Sequence, residues 1–189
     1  MSGGFRIVIL CGSAGALDSY IEILRKMPLD TGMAFVVLSH RRGGVPTWLE
    51  SILARATGMS VESITNGTVF QADHVYICPP GMDLTTDGQA FRVVPASKTY
   101  GWPDTFDIFL RSVARTTHAR ALTVILSGMA SDGSAAMEEL QRGGGINYAQ
   151  SNALETSMPR SAIRTRCVDY IGSPQEIATA ILNLQPVAA

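Results

Sequence analysis

The sequence predicts an α/β protein: a doubly wound, mostly parallel sheet with helices on both faces and one antiparallel hairpin. Three observations carry this. The segments 6–11, 33–39 and 121–127 are apolar at nearly every position, as strands covered on both faces must be. The stretches between them place apolar residues at helical spacing instead. One stretch, 82-MDLTTDGQAFRVV-94, sets an Asp-Gly pair between two β-like arms and reads as a hairpin.

In chain order, strand 6–11 runs into the small-residue turn 12-GSAGA-16, after which Leu17, Tyr20, Ile21, Leu24 and Met27 share one helical face. Pro28 and 30-DTG-32 close that helix, and 33-MAFVVLS-39 is the second buried strand, completing a first βαβ unit. Pro46, Trp48, Leu49, Ile52 and Leu53 predict a helix over 46–57, with short strands near 60–64 and 74–78 before the hairpin. A loop to about 103 precedes a helix marked by Phe106, Phe109, Leu110 and Val113; the two phenylalanines read as core. Then come strand 121–127, a helix over 132–143 with a glycine-rich end, strand 145–150, and helical patterns at 158–165 and 174–184. Strands alternating with helices argue a parallel sheet.

The bulk numbers narrow the function classes. A chain of 189 residues without repeats or low-complexity stretches reads as one domain, able to bury roughly 70% of its unfolded surface. A net charge of −1, from 15 basic and 16 acidic residues spread along the chain, gives no electrostatic footprint for nucleic acid or an anionic membrane. Arg6, the short apolar run and 14-AGA-16 superficially imitate a secretory signal, and Cys11 a lipid-modified cysteine. The run is too short, and Leu10 sits where a lipidation motif wants a small residue, so the segment reads as a strand. No apolar stretch approaches the ~18 residues of a membrane span. Cys11, Cys78 and Cys167 are odd in number and form no C-x-x-C, which favours a reducing, cytoplasmic setting and no metal framework. His40, His74 and His118 show no metal-ligand spacing, so no metal and no cofactor is expected.

In parallel sheets of this kind ligands bind outside the carboxyl ends of the strands, and three such ends carry chemistry. Ser13 follows the first strand, His40 the second, and Asp132 lies in 127-SGMASDG-133 after the late central strand. A serine hydroxyl is a poor nucleophile until a base takes its proton, and the base needs a carboxylate to fix its tautomer and stabilise the imidazolium. A helix N-terminus beside Ser13 would add unpaired N–H groups for an oxyanion. Each residue also has a simpler reading: Ser13 and Asp132 as helix N-caps, His40 as a histidine without a role. The G-x-S-x-G elbow is incomplete, because Cys11 holds the first glycine's place.

The stretches 12-GSAG-15, 36-VVLSH-40, 74-HVYICPPGMDL-84, 121-ALTVILSGMASDGSAAM-137 and 158-MPRSAI-163 resemble the catalytic domain of the CheB-type protein-glutamate methylesterases of bacterial chemotaxis, over about 6–183. The resemblance implies a Ser13–His40–Asp132 triad and an oxyanion hole from the backbone N–H groups of Ala14 and Met129. It implies hydrolysis of γ-glutamyl methyl esters on the signalling helices of a methyl-accepting chemoreceptor or similar methylated protein, with deamidation of certain glutamines in similar enzymes. The chain departs from the family's common pattern at Cys11 and Ala16, where glycines are usual, at Ala14, where some members carry threonine, and in 41-RRGGVP-46, where many carry Met-Pro. Segments 103–114 and 78–84 look closer to relatives fused to a methyltransferase, so a methyltransferase or a separate regulatory subunit is a candidate partner. Only five residues precede the first strand, so the expectation is one methylesterase-like domain over 1–189 without an N-terminal receiver domain. Arg41, Arg42 and Arg160 are candidate contacts to acidic residues flanking the methylation sites.

Two other readings stand beside this one. A catalytically inactive, methylesterase-like interaction module is kept open by Cys11 and the loop after His40. A nucleotide-binding domain, with Arg41 and Arg42 on a 2′-phosphate, is disfavoured because 12-GSAGAL-17 lacks G-x-G-x-x-G spacing and no Tyr-x-x-x-Lys occurs. The sequence leaves the receptor, its glutamates and the oligomeric state open.

Overall fold

The computed structural model describes residues 6–41, 48–97, 104–117 and 120–184. Seven parallel strands form one sheet: β1 (Arg6–Gly12), β2 (Met33–Ser39), β3 (Ser60–Ser63), β4 (His74–Ile77), β7 (Ala121–Ile125), β8 (Ile146–Gln150) and β9 (Tyr170–Gly172). They lie in the order β3-β4-β2-β1-β7-β8-β9. The hairpin strands β5 (Met82–Thr86) and β6 (Phe91–Pro95) pair antiparallel in a separate two-stranded sheet. From β1 the chain passes to β2, out to the edge strand β3, back in to β4 beside β2, and after the hairpin crosses to the other side of β1 as β7. The strand order therefore reverses between β1 and β7, and the crevice at their carboxyl ends is where such sheets bind ligands.

The alternation within β1 explains the two layers. Ile7, Ile9 and Cys11 enter one core with Phe106, Phe109, Leu110 and Val113 of α3 (Thr105–Thr116), Leu140 of α4 (Met137–Arg142) and Met158 of α5 (Ser157–Arg164). Val8 and Leu10 enter the other with Tyr20, Ile23 and Leu24 of α1 (Leu17–Lys26), Leu53 of α2 (Leu49–Ala54) and Ile177 and Ile181 of α6 (Pro174–Leu182). Both faces of β1 are thus buried, which is why its run is unbroken by polar residues. Each aliphatic side chain taken out of water there contributes about 1.5–3 kcal/mol. Asp18 near the start of α1 and Arg25 and Lys26 at its end complement the helix dipole. Helix α6 opens on a reciprocal capping box between Ser173 and Glu176.

Three elements differ from the sequence reading. The helix expected over 132–143 begins only at Met137, because 131–136 form successive turns closed by Ser134 N to Ser131 O and Met137 N to Ser134 O. The helix expected over 46–57 is α2, Leu49–Ala54; residues 46 and 47 lie outside the described residues. Strand β9 was not expected: three residues carry too little pattern to register, and it is held by pairing to β8. Cys11 is fully buried in β1 and faces the core. Its thiol is held well above the ordinary range by burial, with the charges of Asp132 and Asp107 adding to the effect, so it is a neutral packing residue.

Candidate active site

The serine turn is built from backbone. β1 ends at Gly12, and Ser13 N–H donates to Ser127 O at 2.9 Å, extending the association of the β1 and β7 segments beyond the sheet. Gly15 turns the chain with φ +75°, a conformation that glycine adopts without steric cost. A Cβ on Gly12 would meet Ala16 Cβ at 2.5 Å and the Tyr20 hydroxyl at 2.6 Å, so glycine is required for α1 to close beneath the turn. Tyr20 then donates to Leu38 O at 2.8 Å, tying α1 to the end of β2. Helix α1 starts at Leu17 with Ala16 as its N-cap, so Ser13 is not the helix cap that its position suggested.

His40 arrives beside this turn by strand register. Gly12 and Ser39 are partners in the β1–β2 pairing, so Ser13 and His40 leave neighbouring strands, which lie about 4.8 Å apart, one after the other. His40 Nε2 lies 2.8 Å from Asp132 Oδ2, and the imidazole stacks on Phe106 with centroids 4.1 Å apart and planes 13° apart. Among the described residues Nδ1 makes no hydrogen bond. Phe106 is the core residue expected from helical spacing, and it also serves as the platform for His40.

Asp132 does not cap the helix that follows it. Its Oδ2 accepts from Phe106 N at 3.0 Å and its Oδ1 from Asp107 N at 3.0 Å, so it satisfies the first-turn N–H groups of α3. Asp107 returns the contact across the two segments by accepting from Ala136 N at 2.9 Å. The carboxyl of Asp107 is pushed up to about 6, chiefly by burial and next by the Asp132 charge. A carboxylate only 5% exposed is kept in place by donors of this kind.

The third segment follows β7. Ser127 Oγ donates to Ala14 O at 2.8 Å and accepts from Glu155 N at 2.9 Å, and Gly128 N donates to Glu155 O at 2.9 Å. Among the described residues neither Ala14 N–H nor Met129 N–H has a hydrogen-bond partner, and both residues are exposed. Unpaired backbone N–H groups are the kind of donor from which an oxyanion hole is built.

The arginines separate. Arg41 is turned inward: its guanidinium donates to Cys78 O and meets Glu50 Oε1 at 3.4 Å, with a side chain 10% exposed. Arg160 is exposed on α5, whereas Arg42 lies outside the described residues. Ser127, Gln150 and Asp107 were not singled out from sequence. The available signal for the first two was a polar residue ending an apolar strand, in 121-ALTVILS-127 and 145-GINYAQ-150. Among the described residues no group of three or more histidine, cysteine or acidic side chains could hold a metal ion, and no helix is long and apolar enough to cross a membrane.

The fold and this corner together define a doubly wound α/β protein with a histidine–carboxylate pair beside a serine turn, the residue set of serine hydrolases. The family signature described as CheB methylesterase matches residues 8–181, and the chain belongs to that family. A protein-glutamate methylesterase/protein-glutamine glutaminase of Geobacillus kaustophilus is 30% identical over 185 residues, covering 94% of this chain and 53% of its own length. One of the same name from Photorhabdus laumondii is 28% identical over 174 residues, covering 88% of this chain and 49% of its own. The chain therefore spans about half the length of these curated relatives. The crystal structure of the Thermotoga maritima CheB methylesterase catalytic domain superposes with a TM-score of 0.89 at 24% identity, covering 96% of this chain and all of that one. That likeness carries the fold.

Proposed function

We propose that this chain is a serine-type protein-glutamate methylesterase acting on γ-glutamyl methyl esters of chemoreceptor signalling helices. The same site deamidates receptor glutamines, as the names of the curated relatives suggest. The observation that carries the reading is the His40–Asp132 contact at 2.8 Å next to the Ser13 turn at the switch point of the sheet. His40 takes the Ser13 proton as Oγ bonds to the ester carbonyl carbon, and Asp132 stabilises the resulting imidazolium. Backbone N–H groups of Ala14 and Met129 hold the oxyanion. The tetrahedral adduct collapses by breaking the carbon–methoxy bond, and His40 returns its proton to the departing methoxy oxygen, releasing methanol. Water, deprotonated by His40, then attacks the acyl carbon; Ser13 recovers the proton and the glutamate carboxyl group leaves.

Substrate contact falls to Arg160 and Arg42, which meet acidic residues flanking the ester. Arg41, whose guanidinium is anchored inward on Cys78 O, is left out of that role. The test is methanol release from a methylated chemoreceptor signalling fragment, comparing wild type with Ser13→Ala. Release by wild type, with a loss on the order of 10⁴-fold in the variant, supports the reading. Equal turnover by the two removes the acyl-enzyme, and no release with binding intact favours the inactive interaction module.

A further inference from the structure

We propose that Ser127 is a positioning residue that sets the two turns flanking Ser13 in one register, so that Ala14 N–H and Met129 N–H converge on a single oxyanion. This rests on the esterase reading above. Ser127 is fully buried, and its polar groups are engaged by three other segments. Its carbonyl accepts from Ser13 N at 2.9 Å and its N–H donates to Gln150 Oε1 at 3.0 Å. Its hydroxyl donates to Ala14 O at 2.8 Å while accepting from Glu155 N at 2.9 Å. Gln150 Oε1 also accepts from Ser19 Oγ at 3.1 Å, which ties the same frame to α1.

Peptide geometry turns these bonds into aim. A trans peptide is planar, with its C=O and N–H pointing in opposite directions, so fixing a carbonyl fixes the N–H on its other side. Gly128 O accepts from Met158 N at 2.9 Å, which orients Met129 N–H away from α5. Ser13 O accepts from Ala16 N at 3.2 Å, which orients Ala14 N–H in the same way. These are two separate units. The Ser127 hydroxyl joins them, reaching Ala14 O on one side and, through Glu155, whose carbonyl accepts from Gly128 N at 2.9 Å, the other turn. The link needs one group that donates to a carbonyl and accepts from an N–H at Cβ–Oγ reach, a pairing that a hydroxyl supplies and an alkyl group cannot.

The surrounding space is cut to this link. A Cβ on Gly15 would meet Ser127 Oγ at 2.8 Å and Leu154 Cβ at 2.9 Å, and a Cβ on Gly128 would meet Met158 Sδ at 2.1 Å. Both turns are therefore closely packed, Gly15 against the linking hydroxyl itself and Gly128 against Met158. Displacing a hydrogen-bond donor by about 1 Å costs a reaction on the order of 10²-fold, so the hydroxyl acts on rate through its neighbours while touching no reacting atom.

The test uses hydrolysis of p-nitrophenyl acetate, a small ester that depends on the oxyanion hole and needs no receptor docking. Wild type, Ser13→Ala, Ser127→Ala and Ser127→Thr are compared in kcat, KM and Tm. The expected result is a kcat lowered about 10- to 100-fold in Ser127→Ala with KM within about twofold, and recovery to within a few-fold in Ser127→Thr. Should the alanine variant fail to fold, Ser127→Cys, with a weak donor of similar shape, reads the same bonds and is expected to lose kcat likewise. A Ser127→Ala kcat within about twofold of wild type, or equal losses in the alanine and threonine variants at unchanged Tm, overturns the proposal. Wild-type turnover no faster than that of Ser13→Ala removes the esterase reading and this inference with it; Ser13-dependent turnover that ignores Ser127 removes the inference alone.

Discussion

The two halves of the candidate site are built by different means. On the histidine side, the ring lies flat on Phe106 and the carboxylate accepts three hydrogen bonds, two of them from the first turn of α3. On the serine side the turn itself is backbone and small residues, with Ala14, Gly15 and Met129 exposed. The difference follows from charge. A buried carboxylate needs several donors to remain ionised, and a helix N-terminus supplies them. A hydroxyl and two N–H groups are neutral and need no such set of donors, and in the proposed reaction they stay open to the incoming ester.

The largest expected effect comes from removing the charge while keeping the shape. Asp132→Asn should lower methanol release by about 10³- to 10⁴-fold, with the amide oxygen able to keep one of the two α3 N–H bonds. Turnover within tenfold of wild type would show that the carboxylate charge is not what activates His40. Next is Phe106→Ala, which removes both a core ring and the platform of His40. A destabilisation of about 3–5 kcal/mol is expected by urea titration, and activity should fall further than the folded fraction does. Gly12→Ala breaks the other half: overpacking against Ala16 and Tyr20 should cost about 1–3 kcal/mol, read as a lowered Tm. Activity should fall with it, because Ser13 is the next residue. Comparing those two variants shows whether each half can be loosened without the other.

The smallest effect concerns Asp107 and pH. Its proton is held up to about pH 6 in the folded protein and is released near ~3.9 in an unfolded chain. The native state therefore binds more protons between those values, and this group's contribution to stability falls as pH rises through that window and is constant above it. Asp107→Asn keeps an oxygen for Ala136 N and carries no charge beside Asp132. Urea midpoints at pH 4 and pH 7 should move in the variant's favour at the higher pH. A difference between wild type and variant that does not change with pH contradicts the assignment.

How much of this was legible in the sequence depends on how local the cause is. Strands β1, β2 and β7 were readable because burial on both faces leaves nearly continuous apolar runs. The hairpin announced itself through Asp87-Gly88, which lies at its turn. Ser13, His40 and Asp132 were reached as strand-end residues, and the structure brings His40 and Asp132 into contact. The role of Asp132 as a cap for α3 was hidden, because its partners Phe106 and Asp107 lie 26 and 25 positions away. Arg41 reads from sequence as a candidate contact to acidic residues flanking the methylation sites, yet its guanidinium is drawn inward by Cys78 O, a partner 37 positions distant that no local pattern reveals. Ser127 had a visible signature, a polar residue closing an apolar strand, but its meaning required three other segments to be in place.

Whether Ser13 is a nucleophile activated by His40 and Asp132 is tested by covalent labelling with a fluorophosphonate, followed by peptide mass mapping of wild type, His40→Ala and Asp132→Asn. One adduct is expected, on Ser13, formed by wild type and slowed on the order of 10³-fold or more in both variants. Labelling of another residue, or labelling of Ser13 at the same rate in His40→Ala, would contradict it.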